Sequence, residues 1–315
     1  MRLTIGVDIG GTKVAAGVVD VDGRILEKVK HPTPVDGDAL ADVVCDTVEE
    51  LAAHHPGDVI DGVGVGIAGF VDENRSTVVF APNLDLRGEP LRDRIRRRID
   101  LPVVVENDAN AAAWGEARFG AGRGVDHVIC VTLGTGIGGG IILNGQLFRG
   151  RYGVGAEIGH YRVVPDGRLC GCGNRGCWEK YASGRALVAE ARTVARDAPE
   201  RAERLRKLAG GDPERIEGHH ITQAALEGDA VALECFAVIG DWVGQGLADL
   251  AAILDPERFV IGGGVCEAGE ILLGPIRDSF ARNITGGGVR TLADIRIAEL
   301  GSAAGIVGAA DLARR

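Results

Sequence analysis

Apolar residues recur along the chain with two periods, every second position and every third or fourth, and the order of these patterns predicts an α/β fold. A strand is expected over 3–9, followed by strands at Val14–Asp20 and Arg24–Lys30 with the turn Asp22-Gly23 between them, a short hairpin-like meander. Pro32 and Pro34 break the chain. Asp38 is the expected cap of an amphipathic helix with Leu40, Val43, Val44, Thr47, Val48 and Leu51 on one side. Val59–Ile67 reads as a buried strand, Thr77–Phe80 as a short one, Pro90–Ile99 as a helix and Pro102–Val105 as a β-branched strand that ends at Glu106-Asn107-Asp108. The Ala-rich run from Asn107 to Phe119 is helical, which puts Asn107 and Asp108 at a joint between strand and helix. In such alternating folds ligands gather at the carboxyl ends of strands.

The pattern restarts at His127–Leu133 and Gly139–Leu143, as a duplicated fold would. A helix is expected from Tyr181 to about Arg196, and a short one at Ile221–Leu226. A long apolar helix at Asp229–Leu254 is stopped by Asp255-Pro256. Phe259–Ile261 is a buried strand running into Gly262-Gly263-Gly264. A helix at 271–282, a strand at 295–298 and a terminal helix at 303–314 complete the chain.

At 315 residues and 45% hydrophobic content the chain can fill two cores rather than one. A net charge of −10 disfavours nucleic acid and anionic membranes as partners, and the one basic run, Arg92 to Arg98, reads as a solvated helix face. The chain opens on a strand with no basic-then-apolar leader, and the Gly-broken stretch at 128–143 is a poor membrane span, so a cytoplasmic protein is expected. Cys45, Cys130, Cys235 and Cys266 stand singly in apolar segments, as buried thiols in a reducing compartment do.

Two glycine turns carry candidate phosphate chemistry. In Asp8-Ile-Gly10-Gly11-Thr12-Lys13 the glycines let backbone N–H groups approach an anion, Thr12 adds a hydroxyl and Lys13 a charge, and Asp8 is placed to hold Mg²⁺ directly or through water. The turn Gly134-Thr135-Gly136-Ile-Gly138 occupies the equivalent place in the second half. One phosphate chain gripped from both sides is the reading of the pair; each alone could be only a hairpin turn. Gly262, Gly263 and Gly264 would let a flat adenine lie close to the backbone.

Cys170-Gly-Cys172-Gly-Asn-Arg-Gly-Cys177 places three of the seven cysteines within eight residues, and His160 is the nearest imidazole upstream. Three thiolates and one imidazole close a tetrahedral zinc shell. Glu157 and Glu179 bracket this module, so a metal that shapes it also presents two carboxylates.

Together the D-x-G-G-T turn at Asp8, the segment Glu106-Asn107-Asp108-Ala-Asn110, the 133–140 glycine turn, Glu157-x-x-His160 and C-x-C-G-x-x-G-C-x-E resemble the ROK family of sugar kinases over nearly the whole chain. The likeness is strongest to its bacterial glucose-phosphorylating members, those of actinobacteria in particular. The resemblance implies an actin-like ATPase (ribonuclease H-like) fold of two α/β domains hinged around a cleft. These would be a small domain at 1–112, onto which the C-terminal helix 303–315 packs, and a large domain at 113–302 containing the zinc module 157–179. It further implies ATP with Mg²⁺ as donor, Asp108 as general base toward a sugar hydroxyl, and a homo-oligomer, dimer or tetramer. Asp108 would also suit a plain helix cap. By motif position the sugar set is Asn107, Asp108, Glu157, His160 and Glu179, with Gly69 and Asn83 as weaker members. A zinc-bound His160 would keep a proton on its other nitrogen and could donate it to a sugar oxygen. Glucose is the first expectation. Fructose, mannose, N-acetylglucosamine or N-acetylmannosamine as acceptor, polyphosphate as donor, and a non-catalytic sugar sensor are the alternatives. Family repressors carry a helix-turn-helix ahead of the sugar fold, whereas the first phosphate turn here begins at Asp8.

Overall fold

The structure, a computed structural model, describes every residue except Val35 and Arg315, and of Asp38 the backbone only. In chain order the elements begin with β1 (Arg2–Ile9), β2 (Lys13–Val19), β3 (Ile25–Pro32), α1 (Gly37–Ala53), β4 (Val59–Ile67), β5 (Phe70–Val71) and β6 (Val78–Ala81). There follow β7 (Leu86–Glu89), α2 (Leu91–Arg96), β8 (Val103–Asn107), α3 (Asp108–Phe119), β9 (Val128–Leu133), β10 (Ile137–Leu143) and β11 (Gln146–Phe148). The remainder comprises α4 (Glu179–Ala182), α5 (Gly184–Asp197), α6 (Glu203–Leu208), α7 (Gly218–Leu226), α8 (Ala230–Leu254), β12 (Arg258–Gly262), α9 (Glu270–Asn283), β13 (Asp294–Ile297) and α10 (Ala304–Leu312). Asp38 falls inside α1, and the cap expected of its side chain lies outside the described residues.

The elements differ from the sequence reading where contacts, not periodicity, decide. The helix expected over 181–196 is two, because Ser183 is extended and its hydroxyl accepts the Ala186 N–H at 3.3 Å, restarting the helix as α5. The second glycine turn is shorter than expected: β10 begins at Ile137, so Gly138 lies in a strand and the turn is Gly134–Gly136, closed by Gly134 N–H to Gly136 C=O at 3.0 Å. Strand β8 runs through Asn107, so α3 starts at Asp108.

Compactness divides the chain elsewhere than at residue 112. One unit comprises Met1–Cys130, Gly139–Ala156 and Ala298–Arg315, and the other Val131–Gly138 and Glu157–Ile297. Residues 113–130 and 139–156 join the N-terminal unit because α3 is one continuous helix and Gly140 packs on it, where a Cβ would lie 2.3 Å from that of Ala113.

In the first unit a sheet of order β3-β2-β1-β4-β8 has β1, β4 and β8 parallel and β2 and β3 antiparallel. Leu3, Ile5, Val7, Val63, Val65 and Val105 are buried in it. Its other face takes α10 at backbone distance, because a Cβ on Gly6 or Gly64 would lie within 2 Å of the Ile306 or Ala309 carbonyl oxygen. Gly308 meets Ala111 of α3 equally closely. The buried Glu116 carboxylate accepts the Ala121, Glu299 and Leu300 N–H groups at 3.0, 3.1 and 2.7 Å, tying the approach to α10 to the end of α3. Asp311 accepts the Trp114 indole N–H at 2.8 Å. A small sheet, β5-β6-β7, completes this unit.

A second five-stranded sheet has the order β11-β10-β9-β12-β13. In the second unit α8 is long and apolar enough to cross a membrane by length and composition. It is a core helix: Phe236, Ile239, Val243 and Leu247 are buried and it packs along α9. Gly240 and Gly244 permit that approach, since a Cβ on either would lie 2.5–2.6 Å from Pro275 or Ser279.

Candidate active site

The first unit gathers its chemistry at the carboxyl ends of β1, β4 and β8. Asp8 pairs in register with Gly66, and Gly66 with Glu106. A Cβ on Gly66 would stand 3.7 Å from the Asp108 Cα, which puts this point of β4 beside the start of α3. Asn107 caps that helix, its Oδ1 accepting the Asn110 N–H at 3.0 Å while its Nδ2 donates to the Gly69 carbonyl at 3.1 Å. Capping therefore falls to Asn107, and Asp108, at the first helical position, is not needed for it. One Asp108 oxygen accepts its neighbour's N–H at 2.9 Å. Burial pushes the Asp108 carboxyl above the usual carboxylate range, partly offset by backbone N–H groups. Asp8 is pushed up to about 6, first by burial and then by the charge of Asp108.

The turn carrying Gly10, Gly11, Thr12 and Lys13 is closed by Gly10 N–H to Lys13 C=O at 3.0 Å, and Thr33 braces it by donating its hydroxyl to Gly10 C=O at 2.7 Å. Gly11, Thr12 and Lys13 are exposed. Asn83 sits beside this turn, its Cβ 3.8 Å from where a Gly11 Cβ would be, so the structure groups it with the phosphate loop of its own unit. Gly69 contributes its carbonyl to Asn107, and Ala81 leaves no space for a side chain there.

In the second unit His160, Cys170, Cys172 and Cys177 present ligand atoms that all lie within 4.8 Å of one another. The Cys172 and Cys177 sulfurs are 3.6 Å apart, and His160 Nδ1 is 3.7 Å from Cys170 Sγ. A tetrahedral zinc with bonds of about 2.3 Å to sulfur and 2.0–2.1 Å to nitrogen separates its ligand atoms by about 3.6–3.8 Å, so the donor set fits zinc and leaves no open position. The loop reaches this shape through Gly173 and Gly176, at φ 90° and 80°; a Cβ on Gly176 would also strike the Val164 carbonyl oxygen. With Nδ1 turned to the thiols, His160 keeps Nε2 for another partner.

The module adjoins the second glycine turn. A Cβ on Gly136 would lie 2.4 Å from Glu179 Oε2, while Glu179 Oε1 accepts from Cys170 Sγ at 3.1 Å. Gly184 N–H donates to the Gly134 carbonyl at 2.8 Å. Glu157 is exposed and leads into the 3₁₀ turn that carries His160, whose N–H bonds the Glu157 carbonyl at 3.0 Å. Next to the turn opens a pocket of about 1100 Å³ lined by Gly134, Thr135, Arg185, Arg192, His219 and Gly264 among others. Of the three successive glycines only Gly264 lines it; Gly263, at φ 91°, packs on Leu133, and Gly262 ends β12.

A pocket of nucleotide size beside a glycine turn, a carboxylate of raised proton affinity after β8 and a Cys₃His cluster are the parts expected of a sugar kinase. Residues 4–315 match the ROK family. The chain belongs to it. Glucokinase of Streptomyces coelicolor is 56% identical over 314 residues, spanning 100% of this chain and 98% of that protein. Glucokinase of Thermotoga maritima is 40% identical over 311 residues, 98% of this chain and 96% of that one. A solved ROK family glucokinase from Streptomyces griseus, in complex with glucose and AMPPNP, matches with TM-score 0.88 at 57% identity, covering 99% of both chains. The fold is accordingly the actin-like fold of ROK sugar kinases.

Sequence reasoning about this ROK chain missed the pocket wall formed by α5 and α7. Arg192 holds it by donating to the Ile216 carbonyl at 2.9 and 3.0 Å, and Arg196 pairs with Glu214 at 2.7 Å. These residues carry no motif; on an amphipathic helix their spacing reads as a solvated face.

Proposed function

We propose that the protein transfers the γ-phosphoryl group of Mg-ATP to the 6-hydroxyl of glucose, with Asp108 as the general base. The observation that carries the residue assignment is the Asp108 carboxylate, which the cap made by Asn107 leaves available and whose proton affinity burial has raised. A stronger proton acceptor suits removal of a hydroxyl proton as the oxygen attacks phosphorus. Asn107, Glu157, His160 and Glu179 bind the sugar, the amide and carboxylates pairing hydroxyls that both donate and accept. Asp8 holds magnesium, which when bound neutralises charge on the phosphates. Gly10, Gly11, Thr12, Lys13 and the Gly134–Gly136 turn hold the phosphate chain, and the pocket at Gly264 takes the adenine. The zinc ligated by His160, Cys170, Cys172 and Cys177 fixes the loop that presents His160 and Glu179.

The degree of likeness to glucokinases supports glucose over other hexoses and a catalyst over a sensor. The enzyme is read as cytoplasmic and oligomeric on family grounds, the second being measurable by light scattering. Initial rates with six hexoses, ATP and Mg²⁺ test the substrate, and Asp108→Asn tests the base. Glucose is expected to give the highest kcat/KM, and Asp108→Asn to lower kcat by about 10²–10⁴-fold. Another preferred hexose would overturn the substrate, and a variant keeping more than about a tenth of kcat would overturn the base.

A further inference from the structure

Glu106, immediately before the Asn107-Asp108 step, is only 1% exposed, and two guanidinium groups meet it. Arg149 Nε lies 2.7 Å from its Oε2 and Arg75 Nε 3.1 Å from the same oxygen. Its other oxygen accepts the Asn107 N–H at 2.9 Å and the Asn110 side-chain amide at 3.1 Å. One buried carboxylate thus holds the residue before Asp108 and the residue two beyond it.

The two arginines are themselves anchored. Arg149 donates to the Asp72 and Glu73 carbonyls at 2.8 and 3.2 Å, and the Asp72 side chain closes the β5–β6 turn by accepting the Ser76 and Thr77 N–H groups. Arg75, at φ 54°, accepts the Val105 N–H on its carbonyl at 3.0 Å. Apolar side chains of similar volume would stabilise a core as well as a buried ion pair does, so stability alone gives no reason for these charges here. What they supply is direction: two fixed positive charges at one carboxylate oxygen hold it against the hydrogen bonds that the other oxygen accepts from Asn107 and Asn110.

We propose that Glu106 and Arg149 are a positioning pair for phosphoryl transfer, setting where the Asp108 carboxylate and the Asn107 amide point, with Arg75 as the second counter-ion. The proposal rests on the reading of Asp108 as base and Asn107 as sugar ligand.

The test compares the full-length wild type with Arg149→Met, Glu106→Gln and the double variant, measuring kcat, the KM for glucose and for Mg-ATP, and the folded fraction by circular dichroism. Arg149→Met leaves Glu106 paired with Arg75, so it keeps a balanced charge and is the informative variant should Glu106→Gln not fold. The expected result for Arg149→Met is a kcat lower by about 10²-fold with a raised glucose KM, the size of loss that misplacement by about an ångström brings. The KM for Mg-ATP should stay within about twofold. Glu106→Gln should be worse and the double variant less impaired than Glu106→Gln alone, because one of the two guanidinium groups left without that partner is then gone. An Arg149→Met enzyme with wild-type kcat and glucose KM, or one whose loss only follows its folded fraction at unchanged KM, overturns the positioning pair. A wild type that does not phosphorylate glucose overturns the reading of the site on which the pair depends.

Discussion

The charge of Asp108, added to burial, holds the carboxyl of Asp8 at a pKa of about 6, although Lys13 and Lys28 pull it down. Asp8 lies near the end of β1 and Asp108 directly after β8, and the two strands are separated by β4. Two like charges arranged in this way are stable together only when a cation or a proton is shared into the site.

The consequence for stability has a definite sign. An acid whose pKa rises from 3.8 to about 6 on folding favours the folded state fully below 3.8, and that contribution is lost as pH rises through about 6. In magnesium-free buffer Asp8→Asn should therefore melt about 2–4 °C above wild type at pH 8 and no higher at pH 3.5. The same variant should lose most of its activity. Melting curves that differ equally at both pH values would show that the repulsion is not what the substitution relieved.

Adjacent glycines at 263 and 264 should respond oppositely. A side chain on Gly264 meets open space in the pocket, so Gly264→Leu should weaken nucleotide binding by about tenfold or more while the melting temperature holds. On Gly263 a Cβ would lie 2.3 Å from the Leu133 carbonyl oxygen at φ 91°, so Gly263→Ala should destabilise by about 1–3 kcal/mol. Calorimetric titration with a non-hydrolysable ATP analogue and thermal melts of both variants separate the two effects; unchanged analogue affinity in Gly264→Leu would place the adenine elsewhere.

Metal analysis should find about one zinc per chain, and Cys172→Ser should remove it. Glucose affinity should then fall by about tenfold or more, because His160 and Glu179 lose the loop that aims them. Nucleotide affinity should fall less, yet measurably, since Glu179 rests against Gly136 of the phosphate turn. Unaltered glucose affinity in the zinc-free variant would sink the idea that the metal organises the sugar site.

Trp178, between Cys177 and Glu179, is fully buried, donates to the Trp242 carbonyl at 2.9 Å and lies over Gly246 of α8. Helix propensity favours Gly246→Ala by about 1 kcal/mol. Overpacking should win, because the new Cβ would lie 2.2 Å from the indole Cε2 and strain of this kind typically costs 1–3 kcal/mol. A lower melting temperature with a shifted tryptophan emission is expected; a stabilised variant would show that the indole can move aside freely.

Short-range geometry was legible in the chain itself. The cysteine spacing with its glycines, the Asp8 turn and the Asn107-Asp108 joint each close within about a dozen residues, where local geometry leaves few alternatives. The order of the longer strands and helices was equally readable, because periodicity reports which face of an element is buried, whereas β5, β7, β11 and α6 are too short to show a period. Periodicity does not report what that face is buried against. Only the tertiary structure brought Arg149 to Glu106, Glu179 onto Gly136 and the glycines of β1 and β4 under α10. These pairs are distant in sequence, and their members read singly as a surface arginine, a bracketing acid or a strand weakened by glycine. The division of residues 113–156 was decided the same way, by α3 continuing unbroken and Gly140 packing against it.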